Sequence, residues 1–178
     1  MARHAVLLRG INLGSRNRIS MPELREALSD AGFEDVRTYV QSGNAVVSST
    51  AKPPTVASAC EKLIAERFGL EVPVLVRSRT ELANIVKRNP LAEVATNPKR
   101  YQVTFLSDKL DPEVVCALRD TAVEPEQVFV HGREVYAWHP DTIARSRLWS
   151  RLAGKSLGVK ATSRNWATVE ALLALMDA

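Results

Sequence analysis

The sequence predicts an α+β protein built from two tandem ferredoxin-like subdomains with antiparallel sheets. The first observation is the element order of residues 1–92, which reads β-α-β-β-α-β followed by an extra helix. The second is that residues 93–178 follow the same order and also close with a helix. The third is the composition, 46% apolar and 25% charged, which is typical of a globular chain with a buried core. We therefore expect subdomains at residues 1–92 and 93–178.

The elements of the first subdomain are predicted from apolar periodicity and from helix caps. Ser20-Met21-Pro22-Glu23 has the pattern of a capping box, as does Ser78-Arg79-Thr80-Glu81, so a helix should follow each serine. Glycines at the end of an apolar face predict where a helix stops. Strands are predicted at residues 4–9, 36–40, 45–48 and 72–77, and helices after Ser20, Pro53 and Ser78.

The second subdomain shows the same alternation. Asp111-Pro112 caps a first helix, and the turn His131-Gly132-Arg133 joins two strands as a hairpin. A second helix should begin at Asp141 or Thr142. Strands are predicted at residues 101–106, 127–130, 134–138 and 159–161, with a closing helix at 166–176.

A polar loop and a polar turn are predicted to meet at one edge of the first sheet. In strand order 4-1-3-2, the first and second strands end where the third strand and the first helix begin. The Arg9–Ser20 loop has three arginines and no acid, and it should converge there with the turn Gln41–Asn44. Glycines allow close backbone approach, and a helix N-terminus favours an anion. The candidate ligand-binding residues are Arg9, Gly10, Asn12, Gln41, Ser42 and Asn44.

The charges of the chain are segregated. Residues 1–22 carry four arginines, residues 142–169 carry six basic residues, and neither segment has an acid. Because the net charge is +4, the remainder carries −6. This pattern is expected of a protein that binds an anionic small molecule or nucleic acid, although a solvated helix face would look the same. If the second half folds back beside the first, Lys160, Arg164 and Asn165 join the ligand site.

Nucleic-acid binding is the first alternative. Arg147, Arg151 and Lys155 recur every four residues, so on a helix they would form one basic stripe. Trp166 could stack on a base, but it is in phase with Val169 and Leu172 and is better explained as a core residue.

The second alternative is a small-molecule transferase or hydrolase acting at the first loop. Ser42 is a conceivable nucleophile, but the sequence identifies no base, so whether the protein is an enzyme stays open. His4, His131 and His139 are isolated, which predicts no metal, and no cofactor fingerprint is present. We expect a cytoplasmic protein without a membrane segment, with Cys60 and Cys116 as buried thiols. The oligomeric state is open.

Four motifs resemble a known family. Leu-Leu-Arg-Gly-Ile-Asn-Leu-Gly (7–14) and Tyr-Val-Gln-Ser-Gly-Asn-Ala-Val (39–46) are the first pair, and Met-Pro-Glu-Leu-Arg (21–25) and Ala-Thr-Ser-Arg-Asn-Trp-Ala-Thr-Val (161–169) are the second. Together they are similar to the bacterial domain-of-unknown-function 1697 family. The resemblance implies a cytoplasmic bacterial α+β protein with ferredoxin-like subdomains, and it implies no activity. The motifs coincide with the basic segments and the hairpin turn, which favours a site there.

Overall fold

The computed structural model describes residues 1–178 and contains two four-stranded antiparallel sheets with six helices. This confirms the predicted α+β class. Tertiary contacts group the chain into two compact units, Met1–Asn84 with Ala171–Ala178, and Ile85–Glu170. The sequence patterns instead predict a division between the two subdomains after residue 92. None of the helices combines the length and the apolar composition that crossing a bilayer requires.

The first sheet has the predicted strand order, written from edge to edge as β2-β3-β1-β4. The central strand β1 pairs with β3 on one side and β4 on the other, so that Val6 lies between Ala45 and Val76. Helices α1 and α2 bury their apolar faces against one side of this sheet. The elements are β1 (Ala2–Leu8), α1 (Met21–Asp30), β2 (Glu34–Tyr39), β3 (Asn44–Ser49), α2 (Pro53–Phe68), β4 (Val74–Ser78) and α3 (Arg79–Arg88).

Both predicted capping boxes form helix caps. The Ser20 hydroxyl accepts a hydrogen bond from the Glu23 backbone N–H at 3.2 Å. At the start of α3 the exchange is reciprocal: Ser78 Oγ accepts from the Glu81 N–H at 3.2 Å, and the Glu81 carboxylate accepts from the Ser78 N–H at 2.8 Å. Each cap satisfies backbone donors that the first helical turn leaves unpaired.

The second sheet repeats the order as β6-β7-β5-β8. Its core lies between one face of the sheet and helices α4 and α5, with Leu118, Leu148 and Leu152 almost fully buried. The elements are β5 (Tyr101–Leu106), α4 (Pro112–Thr121), β6 (Gln127–His131), β7 (Glu134–Trp138), α5 (Arg147–Ala153), β8 (Ala161–Asn165) and α6 (Trp166–Asp177). Trp166 is 7% exposed and stacks on Tyr101, which confirms it as a core residue.

Two element boundaries in this unit differ from the prediction. Helix α5 begins at Arg147 rather than at Asp141 or Thr142, because Ser146 is its N-cap and accepts from the Trp149 N–H at 3.0 Å. Strand β8 begins at Ala161 and includes the polar run that follows it, since that run pairs with β5. Backbone pairing, rather than apolar periodicity, therefore defines this edge strand.

The two cysteines differ. Cys60 is fully buried, and burial raises the pKa of its thiol to about 12. Cys116 is exposed on α4, so the expectation of two buried thiols is wrong for this residue. Its neighbours Val114 and Val115 turn the apolar face of α4 toward the core and leave Cys116 outside.

Three arginines of the first unit bind the last turn of α6. Arg3 donates from Nη1 to the backbone oxygens of Met176 and Ala178, and Arg37 donates to Leu175 O at 3.2 Å. Arg79 forms two hydrogen bonds with the Asp177 carboxylate, at 2.7 and 3.1 Å. Carbonyl groups at a helix C-terminus lack partners within the helix, and cations there also match the helix dipole.

His4 lies in β1 with 2% of its surface exposed, and neither ring nitrogen has a hydrogen-bond partner. Burial lowers the pKa of its imidazole from the ordinary value, and this effect outweighs the nearby backbone of Ser49 and Ala51, which favours the protonated ring without forming a hydrogen bond of normal geometry to it. The folded protein therefore takes up a proton at His4 less readily than the unfolded chain does.

We expect the free energy of unfolding to fall as the pH drops below about 6.5, because the unfolded state gains the proton at a higher pH than the folded state does. His4→Leu removes this titration, so its stability should depend less on pH between about pH 7.5 and pH 5.5. Urea unfolding followed by circular dichroism measures both profiles. His131→Gln, at the exposed end of β6, removes a histidine that is not buried and is the matched control. An equal slope for His4→Leu and the wild type would contradict the assignment.

Candidate functional site

The Arg9–Ser20 loop is ordered by hydrogen bonds between its own residues. The Asn12 N–H donates to Asn17 O at 3.0 Å, and the Arg16 N–H donates to Leu13 O at 3.2 Å, which closes a tight turn at Gly14 and Ser15. Asn17 donates from its side chain to Gly10 O at 3.1 Å. Gly10 and Gly14 both have φ values in the left-handed region, which is the conformation that glycines adopt in tight turns.

Asn12 joins this loop to the turn Gln41–Asn44. Its Nδ2 donates to Ile19 O at 2.9 Å and to Gln41 O at 2.8 Å, and its Oδ1 accepts from the Ile19 N–H at 2.9 Å. The loop and the turn therefore meet, as the strand order predicts. Because both amide N–H groups are used inside the protein, we assign Asn12 to building the site rather than to binding a ligand.

The turn residues divide into a buried and an exposed pair. Asn44 is fully buried and donates to Tyr39 O at 3.3 Å, and Gly43 accepts from the Leu8 N–H at 2.9 Å. Gln41 and Ser42 are exposed. Val40 has φ +50°, which a β-branched residue rarely adopts, and it is 53% exposed. The structure thus leaves Gln41 and Ser42 facing solvent beside a strained residue.

The start of α1 offers less to an anion than the sequence suggests. The Glu23 N–H is bonded to the Ser20 hydroxyl, the Leu24 N–H is bonded to Ser20 O at 3.0 Å, and Pro22 has no N–H. Glu23 also adds a negative charge in the first turn. Any anion at this edge would therefore depend on arginines, of which Arg16 and Arg18 are exposed and Arg9 is half-buried.

The three C-terminal candidates do not lie together. Lys160 precedes β8, whereas Arg164 and Asn165 end it, and a strand rises about 3.3 Å per residue, so Lys160 lies roughly 13 Å along the strand from Arg164. Asn165 Oδ1 accepts from the Thr168 N–H at 2.9 Å and caps α6. Arg164 donates from Nη1 to Thr162 Oγ1 at 2.7 Å, and burial lowers the pKa of its guanidinium to about 10. A joint site with the first unit stays a prediction.

The basic stripe is shorter than the periodicity indicates. Arg147 and Arg151 lie on α5 and line a groove of 810 Å³, but Gly154 ends the helix, so Lys155 is outside it. Asp120 lines the same groove. The proposed three-residue helical stripe is therefore wrong for Lys155, and the two arginines that remain share their groove with a carboxylate.

The structure shows a cluster of Glu126, His139 and Ser146 that the sequence patterns did not predict. The Glu126 Oε2 atom lies 2.8 Å from His139 Nδ1 and 2.5 Å from Ser146 Oγ. Burial of the Glu126 carboxyl opposes ionisation, but these two hydrogen bonds, with a third from the Val123 N–H, lower its pKa below the ordinary value. Glu126 is therefore an ionised acceptor for both neighbours.

This cluster is not a nucleophilic triad. Ser146 and His139 both bond to the same carboxylate oxygen, so the serine hydroxyl is not directed at the imidazole that would have to take its proton. The hairpin contained a usable signal. Gln127 pairs with Trp138 in the β6–β7 ladder, and so the next residues outward, Glu126 and His139, lie opposite each other.

Asn12→Gly should loosen the loop, because it removes three hydrogen bonds while a glycine still tolerates the φ of +54°. We expect a loss of about 1.5–3 kcal/mol in the free energy of unfolding, and faster hydrogen exchange at the Ile19 amide. Asn17→Gly, which removes one bond at φ +49°, is the matched control and should cost about 0.5–1.5 kcal/mol. If the Ile19 amide of Asn12→Gly exchanged its hydrogen as slowly as in the wild type, Asn12 would not be what holds the loop to the turn.

Gly43→Ala should lower the free energy of unfolding more than Gly14→Ala does. An added Cβ would lie 2.9 Å from Leu8 Cβ and 3.0 Å from two Ile11 carbons, at a φ of +79°. We expect a loss of about 2–4 kcal/mol, measured by chemical denaturation. Gly14→Ala has φ +61° but nothing within 4 Å, and it should cost only about 1–2 kcal/mol. Equal losses would show that crowding at Leu8 and Ile11 is unimportant.

Comparisons with known proteins agree with this description. No curated protein matches the chain. A solved structure, that of the conserved bacterial protein SP0830 from Streptococcus pneumoniae, is similar with a TM-score of 0.80 and 22% sequence identity, over 98% of each chain. At that identity the likeness concerns the fold. The model of the family described as "Protein of unknown function (DUF1697)" matches residues 1–136. The chain therefore belongs to the DUF1697 family.

Proposed function

We propose that the protein binds a small anionic ligand, phosphorylated or nucleotide-like, at the loop end of the N-terminal sheet. The observation that carries the proposal is the pair of hydrogen bonds that Asn12 donates, one to Ile19 O within the Arg9–Ser20 loop and one to Gln41 O of the adjoining turn. These bonds order a loop that carries Arg9, Arg16 and Arg18. A binding surface that is ordered beforehand loses less conformational entropy when the ligand arrives.

Charge supports an anion as the ligand. Residues 1–22 contain no acid, and Arg16 and Arg18 are exposed where a planar guanidinium can bind a phosphate or carboxylate through two hydrogen bonds. Exposed Gln41 and Ser42 on the adjoining turn can supply neutral donors. The ligand would therefore be bound mainly by arginine side chains, with the turn helping to orient it.

Apolar side chains beside these arginines favour an anion that also has an apolar part. Leu13 is 67% exposed and Val40 is 53% exposed, and each is next in sequence to one of the residues in the Asn12–Gln41 hydrogen bond. A nucleotide base or a similar ring could cover them, whereas inorganic phosphate could not. This supports a nucleotide-like ligand over a bare anion.

Nucleic-acid binding by Arg147, Arg151 and Lys155 is the second candidate. The groove of 810 Å³ that Arg147 and Arg151 line favours it, because a groove can follow a phosphate backbone. Asp120 in that groove and the position of Lys155 beyond α5 weaken it. The transferase or hydrolase alternative stays a prediction.

Thermal-shift and calorimetric titrations with AMP, ribose 5-phosphate, inorganic phosphate and a single-stranded oligonucleotide test the proposal. We expect AMP to raise the Tm, and the double variant Arg16→Gln/Arg18→Gln to weaken its binding about tenfold or more, because charged hydrogen bonds are lost. The control Lys52→Gln/Lys62→Gln removes the same charge from exposed positions of α2 and its cap, and it should bind normally.

Two results would contradict the proposal. One is equal AMP affinity in the arginine double variant and in the lysine control. The other is stabilisation by the oligonucleotide alone, with affinity that falls steeply as salt is added, which would favour the C-terminal basic residues.

A further inference from the structure

Strand β6 is an edge strand of the second sheet, and it pairs with β7 on one side alone. The Leu106 N–H donates to Arg133 O, so odd-numbered residues of β7 direct their backbone groups to β5 and even-numbered residues direct theirs to β6. Val128 and Val130 lie opposite odd-numbered residues of β7, so their own N–H and C=O groups point away from it. These groups have no backbone partner elsewhere in the chain.

The outer edge of β6 lacks the features that usually keep an edge strand from pairing with another chain. Those features include charged side chains, proline and β-bulges. Strand β2, at the same position of the first sheet, has three charged residues and a register shift between Glu34 and Arg37. Strand β6 reads Gln-Val-Phe-Val-His, with no acid, lysine, arginine or proline, and its register with β7 is continuous. The edge of the first sheet is thus protected, whereas the edge at β6 can accept a further strand.

Phe129, in the middle of β6, is 42% exposed. Its neighbours Val128 and Val130 pack against the core beneath α4 and α5, so Phe129 lies on the other face of the sheet, where its ring meets Tyr136 edge-on. A second aromatic ring beside Phe129 would cover apolar surface that the folded chain leaves in water.

The edge of β6 is complementary to itself when two copies run antiparallel. With the two Phe129 side chains opposite each other, Val128 of each copy lies opposite Val130 of the other. All the outward N–H and C=O groups of these valines then form hydrogen bonds across the interface.

Charge favours the same arrangement. Exposed Glu124 lies just before β6, and Arg133 lies just after it. Glu134, which follows Arg133, is 9% exposed and forms an ion pair with Arg88. Antiparallel pairing brings the acidic end of each strand to the basic end of the other, whereas parallel pairing would place like charges side by side.

We propose that β6 pairs antiparallel with β6 of a second copy of this chain, so that the two four-stranded sheets join into one across a two-fold axis. The axis passes between the two Phe129 side chains. This pairing occupies the open edge of both copies at once, so assembly stops at the dimer. The surface is separate from the Arg9–Ser20 loop and has no part in the proposed function.

Sedimentation velocity over concentrations from about 10 μM to 1 mM tests the inference. A single strand pair makes a small interface, so we expect the dimer to form within this range. Phe129→Lys and Phe129→Glu should each be monomeric, because like charges would then face each other across the axis. An equimolar mixture of the two variants should associate more tightly than either alone, because opposite charges then meet. Ala31→Lys, at an exposed position of the first unit, is the control and should dimerise as the wild type does.

Disulfide cross-linking tests the register. Cys116→Ser first removes the exposed native thiol. In that background Phe129→Cys should form a disulfide between copies under mild oxidation, because directly opposite residues of a non-hydrogen-bonded pair have Cα atoms about 4.5 Å apart. Gln127→Cys is the matched control, exposed on the same strand. In this register it lies about 13 Å along the strands from its counterpart, so it should not cross-link.

Three results would overturn the inference. A wild-type chain that stays monomeric over the whole concentration range would show that a second copy does not occupy this edge. A dimer that survives unchanged in both Phe129→Lys and Phe129→Glu would place the contact on another surface. Cross-linking of Gln127→Cys as efficient as that of Phe129→Cys would exclude the register centred on Phe129.

Discussion

The central position of β1 in the first sheet determines where the polar loop of this chain lies. Its backbone is paired on both sides, with β3 and with β4, so the end of the strand cannot shift without breaking two ladders. The pairing continues beyond the strand, because the Leu8 N–H donates to Gly43 O and the Arg9 N–H donates to Pro73 O, both at 2.9 Å. The loop therefore leaves the sheet from a fixed point, next to the turn that Asn12 then joins to it.

Counting basic residues overstates the charge that a ligand could meet. Arg164 belongs to the acid-free C-terminal segment, yet its guanidinium donates to Thr162 and Ser163 of its own strand. Arg77 occupies the matching place in the first unit, one residue before the cap of the following helix, and it is 1% exposed. In both units an arginine thus contributes to the structure of the last strand. The arginines of the Arg9–Ser20 loop differ, because Arg16 and Arg18 remain in solvent.

Sequence patterns predicted the features that depend on nearby residues. The strand order and the caps at Ser20 and Ser78 are confirmed, and so is the meeting of the loop with the turn, since topology alone brings them together. The predicted start of α5 was wrong, because the cap at Ser146 is preceded by other polar residues that could equally begin a helix. The structural roles of Asn12 and Asn44 could not be predicted, because their partners depend on the exact path of the backbone.

The grouping of Ala171–Ala178 with Met1–Asn84 has a consequence for how the chain folds. Arg3, Arg37 and Arg79 are synthesised early, but the helical turn they bind is made only after the whole of Ile85–Glu170. The first unit therefore cannot complete these contacts until the C-terminal segment has been made. The long intervening chain must then be closed into a loop. The entropy of that closure rises only with the logarithm of loop length, so its main cost is in folding rate rather than in final stability.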